Sequence, residues 1–525
     1  MKTLTTWVRH NRTVLIVLAI FLALYMMAAS GMESSEWMIT TVRSFSVGAL
    51  IFLVASGFSI ILGLMDVLNF AHGEMYMLGA FIGWTAYVRP DTIVDVLTPV
   101  LLIGGAFFLM PIWRILLQRL NLSDVLKRLW PVIVLLLGAA LLVYGLAHYP
   151  IGRWSFDIPN DLPSSWSLRT DISYAGPFIP PVVASFEGIS PLLGLGSLVL
   201  GSLFLSIAVS GFEARRPQPH LTSQKIPIQG LTAGILLMVL GLVLFAVNTP
   251  LSEWLYTLST TLRFLISLVI ATATGFILGS FIEAALIRPL YARPVYQLMI
   301  TLGLAFITIE LARAVWGYAE FQSPRPALFA STGEGCPAES LGGWLANSCS
   351  TITLLGGRMR SYNEVFIILM GLLVLGGVWL LLQRSRVGMI IRAGVQDREM
   401  VEALGINVRR VFNFVFALGV ALAALGGALA GPALGLSISM GTTVLLSALI
   451  ALAIGGLTSF PGAAAGSVLV ALLQQFITKY GQLGINLPFL ADPVKPSPPL
   501  VPASTVTLMV IILLVLPQGL FGRKE

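Results

Sequence analysis

Runs of apolar residues about as long as a membrane-spanning helix recur along the whole chain, separated by short polar segments. The alternation of apolar and polar residues that is typical of membrane β-barrels does not occur. We therefore predict an all-α, polytopic helical transmembrane protein with about 14 spans, in a range of 12–14. The predicted spans are 13–30, 43–62, 73–88, 97–113, 131–149, 190–211, 230–249, 258–281, 297–316, 364–383, 411–430, 442–458, 462–478 and 504–517.

Composition and charge agree with this class. Only 10% of the 525 residues are charged, against about 25% in soluble domains. Twenty of the 31 Lys and Arg residues fall in loops that this span order assigns to the inside, which predicts that both termini are inside. The net charge of +7 is explained by this topology, so nucleic acid is not an expected partner. The basic start followed by span 13–30 has the layout of a signal peptide, but the spans that follow favour an uncleaved anchor helix.

A polar patch interrupts the apolar pattern in "ILGLMDVLNFAHGEMYMLGAF", where Asp66, Asn69, His72 and Glu74 stand within nine residues. These side chains are costly in lipid unless they are paired or hydrated. One interpretation is that they cap two helices at the inner interface. The other is a discontinuous helix beside a substrate path. Composition does not decide between the two; no metal site is expected, because His72 and Glu74 supply only two ligands.

The longest basic inner segment is 384–411. Its apolar residues recur at helical spacing until Gly405 and Asn407, which predicts a short amphipathic helix on the cytoplasmic face. That helix is either a solvated connector or a docking helix for a cytoplasmic partner.

Two charged residues, Glu310 and Arg313, stand three apart inside span 297–316, where they can pair on one helix face. An intramembrane pair indicates a functional site by default. Their position near the outer end makes a snorkelling pair an equal alternative.

Two predicted outer loops are long, 150–189 and 317–363. We expect the first to form an irregular cap at the interface. The second holds the chain's two cysteines, Cys336 and Cys349, which fit neither a zinc ligand set nor a CxxC pair. An outward loop lies in an oxidising compartment, so a disulfide is favoured over two free thiols.

Small residues four apart, in "GFILG" (275–279) and "GGALAGPALG" (426–435), predict close helix contacts. Pro432 is expected to break the helix there. The polar segment that follows is either an interrupted stretch at membrane depth or a simple outer turn.

Five blocks in this order resemble the branched-chain amino-acid ABC transporter permeases of the LivH type. They are "GLMDVLNFAHGEMYMLGAF" (63–81), "IEAALIRPLYARPVYQLMITLGLAF" (282–306), "SRVGMIIRAGVQDREMVEALGINVRRVFNFVFALGVALAALGGALAG" (385–431), "AIGGLTSFPGAAAGSVLVALLQQF" (453–476) and "LVLPQGLFGRKE" (514–525).

The resemblance implies an ATP-driven importer of branched-chain or hydrophobic amino acids in the plasma (inner) membrane of a bacterium or archaeon. This chain would be one half of a permease heterodimer, working with two cytoplasmic ATPase subunits and an external solute-binding protein. The chain has no phosphate-binding GxxxxGK[ST] motif, so we expect ATP hydrolysis in the partners and neither enzymatic activity nor a cofactor in this chain. Segment 387–405 would then be the coupling helix; the residues expected to seat it are Arg392, Asp397, Arg398, Glu402 and Gly405.

Two alternatives to this function stay open. Within the family, the substrate could be urea or a short amide. In a different class, the chain could be an ion-coupled secondary transporter, with the polar patch and the pair in span 297–316 as its coupling groups.

The chain departs from the family by its length, which predicts four segments. They are an extra N-terminal span (1–42), a first permease segment with the helix break (43–90), inserted spans (91–250) and a permease core (251–525).

Overall fold

The computed structural model describes residues 12–118, 124–149, 189–214, 228–291, 293–317, 320, 322–354, 356–396, 398–485 and 493–522. The predicted cap at 150–189 therefore lies almost wholly outside the described residues.

The described residues are almost all helical. The α-helices are α1 (Arg12–Ser30), α2 (Ser34–Met65), α3 (His72–Val88), α4 (Pro90–Phe108), α5 (Met110–Gln118), α6 (Asp124–Ala147), α7 (Pro191–Ala214), α8 (Ile228–Ala246), α9 (Asn248–Thr257), α10 (Thr260–Ile282), α11 (Pro294–Trp316), α12 (Leu341–Asn347), α13 (Ile367–Arg384), α14 (Arg386–Gln396), α15 (Arg398–Ala403), α16 (Val408–Leu434), α17 (Met440–Gly455), α18 (Phe460–Leu483) and α19 (Leu500–Val515). Strands β1 (Thr351–Leu354) and β2 (Gly357–Arg360) form one antiparallel hairpin.

The prediction of an all-α polytopic membrane protein is confirmed. A helix occupies each of the fourteen predicted spans. Within the described ranges, however, nine helices are long and apolar enough to cross a membrane, or ten if the pair bent by 70° after Ala246 counts as one span. The count of fourteen is not confirmed, because an apolar window identifies a short buried helix as readily as a full span. Helices α3, α17 and α19 have only 16 or 17 residues.

The chain folds as two compact units. Of the described residues, those up to Trp84 and from Thr260 onward form the larger unit, and those from Thr85 to Ser259 form the smaller. In the smaller unit α4 packs on α8 and α6 packs on α7. Buried polar groups also join α4 to α9, where the Tyr256 hydroxyl donates to Asp91 at 2.6 Å and the Asn248 amide donates to Asp95 at 2.7 Å.

Two helices form the core of the larger unit. In their most apolar stretches, 72% of α2 and 83% of α16 is buried, against 22% of α11 and of α13. Helix α2 packs against α18, α16 and α17, and α16 also packs against α10. The outer helices leave their apolar side chains for lipid, as expected of a membrane protein.

Glycines allow the core helices to approach backbone to backbone. A Cβ on Gly79 of α3 would lie 2.2 Å from the Ala424 carbonyl oxygen of α16, and a Cβ on Gly427 would lie 1.8 Å from the Tyr76 carbonyl oxygen. On α10, a Cβ on Gly275 would lie 2.6 Å from the Ala424 Cβ. Such contacts maximise van der Waals packing, which drives helix association in lipid.

The expectation that Pro432 breaks its helix is wrong. Helix α16 continues through Pro432 to Leu434 and ends at Gly435, whose φ is +86°. A proline near a helix end removes one backbone hydrogen bond. The dense packing of α16 outweighs that loss, so the break begins three residues later, where a glycine can take the left-handed backbone.

The glycine contacts predict a sharp difference between two equally small substitutions. Gly79→Ala places a methyl group against the α16 backbone, and overpacking of this kind costs about 1–3 kcal/mol. Gly303→Ala on α11 has nothing within 4 Å and gains helix propensity, so we expect unchanged or slightly higher stability. Thermal unfolding of both variants in detergent measures this, and equal stabilities would contradict the close contact.

Candidate functional site

The predicted helix break exists, and its first part is built by turn chemistry. Helix α2 ends at Met65, and Asp66 adopts the left-handed conformation with φ 53°, its N–H donating to the Leu62 carbonyl at 3.0 Å. The Asn69 side-chain oxygen then accepts from the Ala71 N–H at 3.1 Å. Asp66 thus ends α2 through its backbone conformation, and the Asn69 side chain closes a turn before α3.

His72 lies beside the body of α2 and not beside the end of that helix. Its Nε2 is 3.1 Å from the Val54 carbonyl oxygen, and its ring packs edge-on against Phe58. Val54 stands eleven residues before the end of α2, which is about 16 Å along the helix. Segment 66–71 therefore runs back along α2 before α3 begins, a distance that six extended residues can span.

Glu74 joins the break at α3 to a second break at α17. The Glu74 side chain is only 3% exposed, and the Thr442 hydroxyl donates to its Oε1 at 3.1 Å. A Cβ on Gly441 would lie 2.6 Å from Glu74 Oε2, and one on Gly73 would lie 2.4 Å from the Gly441 carbonyl oxygen. The first turns of α3 and α17 are thus in direct contact, and two positive helix-dipole ends lie near this carboxylate.

The junction is incompletely satisfied. Among the described residues, Glu74 Oε2, His72 Nδ1 and Asn69 Nδ2 are buried and have no hydrogen-bond partner. Buried polar atoms without partners are rare in proteins, and they concentrate at functional sites.

A cavity of about 820 Å³ lies beside this junction. Its walls come from one face of α2, from the 435–439 break, from the first two turns of α17 and from single residues of α3 and α18. The lining residues are Val47, Leu50, Ile51, Tyr76, Glu320, Gln322, Leu434, Gly435, Leu436, Ser437, Ser439, Met440, Thr443, Val444, Ser447 and Gln474. One wall is apolar and the other carries hydroxyl and amide groups, which suits a small amphipathic ligand.

Of the four residues in the predicted patch, none lines the cavity. The patch shapes the break, and the cavity is reached two residues later, at Tyr76. Sequence reasoning missed Tyr76, Ser447 and Gln474; the signal available for Gln474 is a glutamine inside an apolar run, "ALLQQF". Nothing in the sequence marks Tyr76.

The segment after α11 contributes Glu320 and Gln322 to the cavity and is fastened at several points. Cys336 and Cys349 are joined by a disulfide with Cα atoms 5.5 Å apart. The Tyr362 hydroxyl donates to the Leu429 carbonyl of α16 at 2.8 Å. At α2, the Arg43 guanidinium is 3.2 Å from Glu364.

The pair in span 297–316 forms, away from the cavity. Arg313 Nη1 is 2.5 Å from Glu310 Oε1, and the Glu310 side chain is 64% exposed. Neither residue lines the cavity. This placement fits the snorkelling interpretation better than a role in a substrate path.

The predicted amphipathic helix 387–405 is divided into α14 and α15. Asp397 lies outside the described residues, and the Arg398 side chain is not described. Arg392 is exposed and donates to the Leu382 carbonyl, Glu402 is exposed, and Gly405 ends the helical segment with φ +80°.

The apolar residues of α14, of α15 and of the turn after α15 are divided between a buried face and an exposed face. Ile391 and Val401 are buried. Met389, Met400 and Leu404 are 62–71% exposed.

The unsatisfied carboxylate predicts that Glu74→Gln stabilises the protein. Each helix N-terminus stabilises an anion by about 1 kcal/mol. Burying a carboxylate that has an unpaired oxygen costs several kcal/mol, which is more than both helix ends return. We expect the free energy of unfolding to rise by about 1 kcal/mol or more. Thermal unfolding tests this against Glu339→Gln, an exposed position outside the candidate spans where the change should stay within about 0.5 kcal/mol. A loss of stability would show that the site holds the charge favourably.

The chain is similar in sequence to known transport proteins. The sequence model of the family described as "branched-chain amino acid transport system / permease component" matches residues 228–516. The permease protein BraD of the high-affinity branched-chain amino acid transport system of Pseudomonas aeruginosa is 32% identical over 172 residues, covering 33% of this chain and 51% of BraD. Escherichia coli LivH is 31% identical over 142 residues, covering 27% of this chain and 41% of LivH.

An archaeal relative, the probable branched-chain amino acid transport permease protein LivH of Methanocaldococcus jannaschii, is 26% identical over 172 residues, covering 32% of this chain and 50% of that protein. The alignments thus span about half the length of these relatives or less. No solved structure matches the chain. The family match covers more than half of the chain, and the chain belongs to the branched-chain amino acid transport system permease family.

Proposed function

We propose that this chain is a transmembrane permease subunit of an ATP-driven importer for branched-chain or related hydrophobic amino acids in the plasma (inner) membrane. A second permease subunit, two cytoplasmic ATPase subunits and an external solute-binding protein would complete the transporter. The observation that carries the proposal is the cavity beside the α3–α17 junction.

The cavity offers both kinds of contact that such a solute needs. Leu50, Ile51 and Val444 provide apolar surface for an aliphatic side chain. Ser437 and Ser439, just before and at the start of α17, share one hydrogen bond, which leaves one of the two hydroxyls to donate to a carboxylate near a positive helix end. A branched-chain amino acid presents these two features at opposite ends.

The cytoplasmic helices support a docking role. Water-facing methionine and leucine side chains, here Met389, Met400 and Leu404, are typical of a surface that a partner covers. The buried residues of the same helices fix them to the transmembrane core. We propose that α14 and α15 form the coupling segment received by an ATPase subunit, with Arg392, Asp397, Arg398 and Glu402 on its rim.

The position of the Glu310–Arg313 pair outside the cavity lining weakens the ion-coupled alternative. We also propose that residues 91–250 are an insertion. Most of this segment lies outside the family match, which begins at residue 228.

Reconstitution distinguishes the transporter classes. In proteoliposomes that contain the permease pair, the ATPase subunits and the binding protein, we expect uptake of radiolabelled L-leucine only when ATP is hydrolysed. Urea supplied in place of leucine tests the amide alternative. Uptake by this chain alone under a proton or sodium gradient would contradict the proposal.

The docking surface predicts a selective loss of ATPase binding. Leu404→Arg places a charge at an exposed apolar position, so folding should be unchanged while the affinity for the ATPase subunits falls about tenfold or more, as at an interface anchor. Leu457→Arg is the matched control, an exposed leucine (51%) in the turn between α17 and α18. Co-purification and ATPase stimulation are the measurements. If both variants bind and stimulate the ATPase subunits equally well, α14–α15 is a solvated connector and not a docking surface.

A further inference from the structure

A second buried carboxylate, Glu283, lies at the inner end of α10 and is fully satisfied. Its side chain is 0% exposed. Oε1 accepts from the Tyr291 hydroxyl at 2.5 Å and from Arg288 Nε at 3.2 Å. Oε2 accepts from Arg288 Nη2 and from the Asn413 amide, both at 2.6 Å. Four charge-assisted hydrogen bonds on one buried group form a rigid unit.

The four bonds join three parts of the chain. Glu283 begins a π-helical turn (Glu283–Ile287) directly after α10, and such turns are rare and often mark functional places. Arg288 and Tyr291 belong to the corner that follows. Asn413 belongs to α16 and is also bonded to Ser280 of α10, whose hydroxyl donates to its Oδ1 at 2.7 Å.

Tyr291 connects this unit to the cytoplasmic helices. Its ring meets Phe412 edge-on, with centroids 6.0 Å apart. Phe412 forms a buried cluster with Val401 of α15 and Val408 of α16, and Ile390 of α14 packs against it. The buried face of α14–α15 therefore rests on the same corner that Glu283 holds.

The unit also leads toward the cavity. Gly275 and Gly279 of α10 pack so closely on α16 that a Cβ at either position would lie within 3 Å of Ala424 or Val420. Farther along α16, Gly427 contacts Tyr76, which lines the cavity. A displacement of the Glu283 corner would thus reach the cavity through closely packed helices rather than through flexible loops.

We propose that Glu283 is a positioning residue for energy coupling. It fastens the corner under α14–α15 to α10 and α16, so that movement of the cytoplasmic helices is passed to the cavity walls instead of being absorbed at the corner. The inference rests on the proposed function, because it assigns a role within ATP-driven transport.

The test measures the ratio of L-leucine imported to ATP hydrolysed in the reconstituted complex. Glu283→Gln keeps the shape of the side chain but removes the charge that Arg288 pairs with. We expect the ratio to fall about fivefold or more, the lower part of the range for coupling effects, while ATP hydrolysis continues. A residue that only supports folding would lower uptake, hydrolysis and the yield of assembled complex together.

Two further variants keep the test decisive. Tyr291→Phe removes one hydrogen-bond donor to Glu283 and keeps the ring packed on Phe412, so it should lower the ratio less than Glu283→Gln does. If the Glu283→Gln complex does not assemble, the ratio measured for Tyr291→Phe tests the inference. Glu213→Gln removes a half-exposed carboxylate paired with Arg114 in the smaller unit and should leave the ratio unchanged.

Each outcome has one meaning. Wild-type complex without ATP-driven uptake overturns the proposed function and this inference with it. Wild-type uptake with an unchanged ratio in assembled Glu283→Gln and Tyr291→Phe overturns the inference alone, as does a parallel loss of uptake, hydrolysis and yield in both variants.

Discussion

The structure depends on one constraint: backbone groups freed by a helix break cannot be solvated by lipid. Segments 66–71 and 435–439 both leave the helical conformation, so their N–H and C=O groups have no helical partners. Such breaks persist only where protein or a water-filled cavity encloses them. Here the helices that follow the two breaks, α3 and α17, begin in contact through Gly73 and Gly441.

This constraint explains why glycines are concentrated around α16. Enclosing two breaks requires helices to approach until their backbones meet, and a Cβ at Gly79 or Gly427 would prevent it. The same closeness buries most of α2, α3 and α16. It also leaves the space beside the junction unfilled, which becomes the cavity.

The sequence predicts the helices well and the site only in outline. Apolar runs mark the helices because lipid selects for them, and the polar residues at 66–74 correctly mark a break. The sequence does not show where along α2 the next helix begins. Nothing in "DVLNFA" states that the chain runs back along α2 to bring His72 beside Val54. The contact that defines the junction joins Glu74 to Thr442, 368 residues apart, and no local pattern contains that information.

Two of the buried carboxylates, Glu283 and Glu74, differ in how completely they are hydrogen-bonded. Glu283 accepts four hydrogen bonds, so its burial is compensated and its corner is fixed. Glu74 has one hydroxyl donor and one free oxygen at the meeting point of two helix ends beside the cavity. The difference in hydrogen bonding indicates that the fold is more rigid at the Glu283 corner than at the α3–α17 junction.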